Sequence, residues 1–435
     1  MGQWAACFVQ TATCVATLLT AAAGAQARKQ TSAFGGKPFV TVWNAPTHDC
    51  VRYSISLGLD VFDVVSSPNE GFYDQELTIF YKERLGRYPY FEGQRPVNGG
   101  VPQNSSLLQH LQQVRADIDR YIRSHHREGL AVIDWEEWRP LWIRNWKGKQ
   151  IYRNRSLALV SKSHPHWPQA DISRQAQFEF EQSARNFMVK TLQEGRNTRP
   201  HSLWGFYLFP DCYNHDYKTN AANYTGRCPD VEISRNDLLA WLWRNSTAIY
   251  PSIYLDYSLQ SSASAIKFVR SRVREALRVA QLHSANYSLP VFVYSRPTYT
   301  YTVQLLTEER CQMMKNYVEG VFGHYLLNVS TATKYCSQYL CAGHGRCVRR
   351  DSEAKTYLHL NPDSFQIKKS PDEKAKLHVT GALTYSDKLR LQEDFECHCF
   401  RGWSGQRCGT GQSTGPRILP CALSPLFSLV LALLL

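Results

Sequence analysis

The sequence predicts an α/β protein: a distorted (β/α) TIM-like barrel over residues 28–331, followed by a disulfide-rich module over residues 332–409. Three observations predict it. Short apolar runs, rich in β-branched and aromatic residues, recur along the first three quarters of the chain. Longer amphipathic stretches separate them, and strand–helix alternation on this scale builds a parallel sheet with helices outside it. From Cys336 onward the apolar runs stop and cysteines cluster.

The strand candidates come in order: Phe39–Trp43, Phe62–Val65, Leu77–Tyr81, Leu130–Ile133, Leu203–Phe209, Ile249–Tyr254 and Leu289–Tyr294. Their unbroken apolar character suits strands buried on both faces. Ser106–His125, Ser173–Glu194 and Ser264–Ala280 read as helices; in the last, Ile266, Val269, Val273, Ala276, Leu277 and Ala280 recur at helical period. Met313–Leu327 reads as the helix that closes the main region.

Both ends carry processing signals. Residues 1–27 hold no Lys, Arg, Asp or Glu and end in Ala25-Gln26-Ala27, a small-x-small cleavage site, so they are expected to be a secretory signal. Residues 410–435 pair small residues with an apolar stretch, Ile418–Leu435, that no basic anchor follows. That pattern predicts a GPI-attachment signal, with Pro420 and Pro425 arguing against a membrane-spanning helix. Removing both segments takes Cys7, Cys14 and Cys421 from the 13 cysteines and leaves ten, an even number suited to an oxidising compartment. Six glycosylation sequons, at Asn104, Asn154, Asn223, Asn245, Asn286 and Asn328, agree with a cell-surface destination, with a lysosomal pool as an extension of the same route.

The balance of 50 Lys and Arg against 37 Asp and Glu favours an acidic partner. The positive residues are scattered rather than gathered in a tail, and no nucleic-acid module is present, so an acidic glycan is the expected partner and nucleic acid is not. A mean hydropathy of −0.39 excludes a polytopic membrane protein. No metal-ligand constellation and no cofactor motif stands out; His125, His126, His164 and His166 read as surface histidines.

The chemistry concentrates in Gly129–Pro140. If Leu130–Glu136 is a strand, Asp134 and Glu136 face the same side, with alpha carbons about 6–7 Å apart. At the C-terminal end of a barrel strand, such a pair sits where these barrels place their chemistry. One carboxyl held protonated beside another is what a general acid requires. A strand-end pair that caps a helix or binds arginine would look the same.

Around this pair, several motifs occur in order. They include Trp43-Asn44-Ala45-Pro46-Thr47, Gly100-Val101-Pro102-Gln103-Asn104, Ala131-Val132-Ile133-Asp134-Trp135-Glu136, Phe209-Pro210-Asp211-Cys212-Tyr213-Asn214 and Tyr250-Pro251-Ser252-Ile253-Tyr254. From Pro38 to Cys408 the chain resembles the animal hyaluronidases, glycoside hydrolase family 56. Ser67–Phe72 and Asn214–Tyr217 look most like its membrane-anchored branch. The resemblance implies endo-hydrolysis of β-1,4 N-acetylhexosaminide bonds in hyaluronan and related glycosaminoglycans such as chondroitin. Glu136 would be the proton donor and the substrate's own acetamido carbonyl the nucleophile, an exception to the two-carboxylate scheme. Asp134 and Tyr207 would hold the acetamido group, Tyr254 and Tyr294 would line its subsite, Arg272 would meet a glucuronate carboxylate, and Arg139 would support the acidic pair. Disulfides Cys50–Cys311 and Cys212–Cys228 are implied as well. A non-catalytic, GPI-anchored hyaluronan-binding receptor is the alternative function.

Six cysteines, Cys336, Cys341, Cys347, Cys397, Cys399 and Cys408, resemble an EGF-like module by their spacing, although 49 residues separate Cys347 from Cys397. That resemblance implies Cys336–Cys347, Cys341–Cys397 and Cys399–Cys408, whereas sequence alone permits fifteen pairings. One departure stands out. Compared with the family pattern, about thirty residues, a whole barrel stave, are missing before Cys311. An opened barrel wall and weak activity are therefore expected of this chain.

Overall fold

The computed structural model describes residues 36–411, apart from 46, 63, 67–72, 283–287, 300–306, 370–376 and 401. The predicted terminal signals, the Ser67–Phe72 motif and the sequon at Asn286 lie outside the described residues.

The strands of the main region are β1 (Val42–Trp43), β2 (Val65–Ser66), β3 (Leu77–Tyr81), β4 (Tyr90–Glu92), β5 (Arg95–Val97), β6 (Gly129–Asp134) and β7 (Ser202–Phe206). A parallel sheet of order β3-β6-β7 forms the centre. Its register pairs Tyr81 with Asp134 and Ile133 with Phe206. Parallel bridges Tyr207–Tyr250, Ile249–Val291 and Ser252–Tyr294 carry the same array two segments further.

The predicted barrel is not there. Among the described residues no sheet closes: β1 pairs only with β2, β4 only with β5, and the central sheet has three strands. The architecture is a mixed α/β fold of small sheets. Two physical reasons account for the difference. Pro251 and Pro290 lack the N–H that a ladder needs, so these predicted strands survive only as bridges. Among the described residues no strand lies between Tyr294 and the helix Glu308–Tyr317, so the Val291–Tyr294 edge and β1 are not joined.

Alternation along the strands sorts the side chains into two layers. Phe80, Ala131, Ile133, Trp204 and Phe206 point outward into the main core, against the helices. Leu77, Leu130, Val132 and Leu203 point to the concave side, with Tyr250, Phe292 and Tyr294. The helix Gln169–Thr198 covers the outer face with Ala176, Phe180, Ala184, Phe187, Leu192 and Gly195. The helix Leu107–Tyr121 packs beside it; the Ser106 hydroxyl accepts the Gln109 N–H as its N-cap. Gly205 belongs to the concave layer, where a β-carbon would come within 2.3 Å of the Ala248 carbonyl oxygen.

Disulfides join Cys50 to Cys311, Cys212 to Cys228, Cys336 to Cys347, Cys341 to Cys397 and Cys399 to Cys408, the five pairs the resemblances implied. The helix Gly323–Leu340 runs unbroken past residue 331 and carries Cys336 into the C-terminal region. There β8 (Gly345–Arg349), β9 (Phe365–Lys369), β10 (Leu377–Gly381), β11 (Phe395–Cys399), β12 (Trp403–Ser404) and β13 (Thr410–Gly411) form three antiparallel pairs. The hairpin β9–β10 occupies the long stretch between Cys347 and Cys397. Its Ile367 and Leu377 pack with Trp43, Phe62 and Met314 of the main region.

Candidate active site

The strand β6 ends at Asp134, two residues short of the predicted limit, and Glu136 lies in the loop that follows. Asp134 is half-buried at the C-terminal end of the sheet, while Glu136 is exposed. The Asp134 Oδ1 atom is buried with no hydrogen-bond partner among the described residues. Burial, and then the charge of Glu136, push the Asp134 carboxyl up to about 7, against a weaker opposing pull from Arg139. Asp134 therefore keeps its proton up to about neutral pH.

Tyrosines line the concave side next to it. The Tyr207 and Tyr294 rings meet edge to face at 4.9 Å, and Tyr254 lies 6.2 Å from Tyr207. The Tyr207 hydroxyl donates to Ser252 Oγ at 3.4 Å, and burial holds its proton firmly. The Tyr294 hydroxyl is buried without a partner among the described residues. Leu208, at φ 76°, turns the chain sharply after Tyr207; its N–H is tied to the Tyr250 carbonyl at 2.9 Å. A non-glycine residue so placed stores about 1–3 kcal/mol of strain, offset by the packing around it.

The loop bearing Glu136 is fastened from three sides. The Arg139 guanidinium donates to the Glu136 carbonyl oxygen at 2.9 Å, so it supports the pair through the backbone. Asn145, fully buried, accepts the Arg139 N–H and donates to the Arg139 and Leu141 carbonyls. Lys149 donates to the Glu136 and Glu137 carbonyls, and burial with the nearby Arg139 charge pulls its ammonium down to about 8. Lys82 pairs with the Glu137 carboxylate at 2.8 Å. Lys149 and Asn145 were invisible to sequence reasoning; a lysine 13 residues from its target carries no spacing signal.

Arg272 is placed differently from expectation. Only 7% exposed, it donates to Asn214 Oδ1 and the Ser252 carbonyl and lies 3.4 Å from Asp211. Burial alone would raise the Asp211 carboxyl, but Arg272 and Arg144 together hold it low. With its donors committed to protein, Arg272 fastens the Asp211–His215 loop rather than offering a fork to a solvent-borne carboxylate. Among the sequons, Asn104, Asn154 and Asn223 are exposed. Asn245 donates to the Trp241 carbonyl and accepts from Gln193, and Asn328 accepts the Leu360 N–H, so both side chains are engaged within the fold. Among the described residues no cluster of three or more His, Cys, Asp or Glu could hold a metal, and no helix is long and apolar enough to cross a membrane.

A shielded carboxyl beside an open one, at the mouth of a tyrosine-lined hollow, is the equipment of a glycoside hydrolase. Comparison with known proteins gives the family. The profile described as hyaluronidase, glycoside hydrolase family 56, matches residues 28–310 and 305–412. The chain belongs to that family and is classed as a glycoside hydrolase. It is 49% identical to Hyaluronidase-2 of Mus musculus over 409 positions, covering 86% of each chain, and 49% identical to Hyaluronidase-2 of Homo sapiens over the same span. The crystal structure of bee venom hyaluronidase in complex with a hyaluronic acid tetramer aligns at TM-score 0.58 and 25% identity, covering 66% of this chain and 98% of that one. The profile match breaks at 305–310, where the missing stave was expected.

Proposed function

We propose that this chain cleaves hyaluronan internally at β-1,4 N-acetylhexosaminide bonds, with overall retention. One observation carries the reading: Asp134, half-buried and with its carboxyl pushed up to about 7 by burial and Glu136, stands beside exposed Glu136 at the edge of the Tyr207–Tyr254–Tyr294 hollow. In the reactive arrangement Glu136 is the acid that gives a proton to the glycosidic oxygen. The charge left on Asp134 accepts the acetamido N–H and stabilises the positive charge that develops as the acetamido oxygen attacks the anomeric carbon. Tyr207 donates to that oxygen, Tyr254 and Tyr294 form the floor, Arg139 positions Glu136, and Arg272 positions the neighbouring loop.

Glu136→Gln tests the assignment. Loss of a general acid costs about 10²–10⁴-fold in rate, while polymer binding persists. Chain shortening at the wild-type rate would remove Glu136 from the mechanism, and wild-type protein that binds hyaluronan without shortening it would establish the receptor alternative.

The printed names of the relatives support hyaluronan as substrate; related glycosaminoglycans fit the same groups. We assign the three C-terminal disulfides to an EGF-like module. We place the mature protein at the cell surface, with residues 1–27 removed and a GPI lipid in place of the tail. Release from cells by a phosphatidylinositol-specific phospholipase C checks the anchor.

A further inference from the structure

A cleft of about 1060 Å³ opens between Val40–Asn44 on one side and Pro290–Arg296 on the other, with Tyr294 of the active-site hollow in its wall. Leu77, Leu130 and Leu203, from the concave face of the sheet, line it as well. Its two walls are edges of the parallel array. On one, the Thr41 carbonyl accepts from Val65, so by strand alternation the N–H and C=O of Val42 face the cleft. On the other, Phe292 and Tyr294 donate to Ile249 and Pro251, and the Pro290 and Tyr294 carbonyls accept from Ile249 and Ile253. The peptide groups of Val291 and Val293 therefore face the cleft from the opposite side. Among the described residues Val42, Val291 and Val293 have no backbone hydrogen bond on that side.

Apolar side chains beneath the unpaired peptide groups of Val42 on one side and of Val291 and Val293 on the other fit one occupant best, a polypeptide in extended conformation. At about 3.3 Å rise, 4.8 Å between strands and 10 Å between layers, the cleft holds about six or seven residues. The alignments say the same. The match to the mouse relative runs over 409 positions yet covers 86% of this 435-residue chain, so a few dozen of its positions have no counterpart here, and the family match breaks at 305–310.

We infer that this cleft is a strand-accepting site: it takes an extended apolar segment of another polypeptide as a parallel strand between Val42 and Val291–Val293. Recognition runs through the main chain, with side-chain selection by the leucine floor. The site shares Tyr294 with the active-site hollow, and its test needs no hydrolysis.

The probe is a fluorescein-labelled peptide copying a stretch of the mouse relative that has no counterpart in this chain, titrated into the full chain and followed by anisotropy. Saturable binding is expected, with slowed amide exchange at Val42 and Val293. Val293→Pro deletes one donor on an edge that tolerates proline and is expected to weaken binding at least tenfold. Should that variant misfold, peptides N-methylated on alternate residues do the same work on unaltered protein: either methylation pattern blocks one edge, so both must weaken binding. Absence of saturable binding, indifference to N-methylation, or slow exchange at Val42 and Val293 before any peptide is added would each overturn the inference.

Discussion

Replacing Asp134 by Asn separates the energetics of the site from its chemistry. The native carboxyl titrates near 7 instead of its ordinary 3.8, because burial and Glu136 disfavour the charged form. Each unit of pH is worth about 1.4 kcal/mol, so ionising Asp134 in the folded chain costs up to about 4 kcal/mol, less whatever water at the pocket mouth screens. The sign follows from the direction of the displacement. The folded state binds this proton more tightly than the unfolded chain, so the contribution is fully present below pH 4 and is lost as pH rises towards 7. Asparagine fills the same space and never ionises. Urea unfolding of wild type and Asp134→Asn at intervals from pH 4 to pH 8 should give curves that diverge. The wild type should lose up to about 4 kcal/mol relative to the variant across that range, while the variant is inactive throughout. Parallel stability curves would refute the claim that Asp134 is a strained, protonated acid. An active variant would refute its role in the reaction.

The same titration bears on turnover: hydrolysis of hyaluronan should decline as pH rises through about 7, where Asp134 loses its proton, and kcat measured from pH 5 to pH 9 checks it. Lys149→Ala removes the charged donor from the Glu136 and Glu137 carbonyls, and a bond of that kind is worth about 1.5–3 kcal/mol; a lowered kcat with KM nearly unchanged, alongside a lower unfolding midpoint, is the expected result. Gly205→Ala places a methyl against the Ala248 carbonyl and the Tyr250 ring and should destabilise the sheet by about 1–3 kcal/mol or more, readable by thermal unfolding.

Leu77–Tyr81, Gly129–Asp134 and Ser202–Phe206 formed where their apolar runs predicted, whereas the proline-free Phe62–Val65 gave a 3-10 turn ending at Phe62 and only the two-residue β2. Leu77–Tyr81 and the core of Gly129–Asp134 carry their own pattern, and the long helices declare theirs by period. What misled was continuity. Tyr250-Pro251 and Leu289-Pro290 look as apolar as any strand, yet their prolines break the ladder into single bridges. Closure of a barrel depends on how distant edges meet, and that information is absent from any one segment. At the site, Asp134 and Glu136 were legible as a pair from their spacing, but not which of them holds the proton, because burial at the end of β6 decides it. Arg272 was chosen from the family resemblance; the surrounding Asn214, Ser252 and Asp211, which satisfy it, are contributed from up to 61 positions away.

The hairpin β9–β10 alters what the C-terminal region is to the rest of the molecule. Because Leu377 and Ile367 are seated against Trp43, Phe62 and Met314, this segment works as a keystone for the amino-terminal edge and not as a detachable appendage. Proteolytic clipping between Cys347 and Cys397 would leave the two pieces tethered by the Cys341–Cys397 bridge, but it would loosen the grip on β1 and with it one bank of the open cleft. Evolutionary changes in hairpin length would then be felt first in the main region, far along the chain from where they occur.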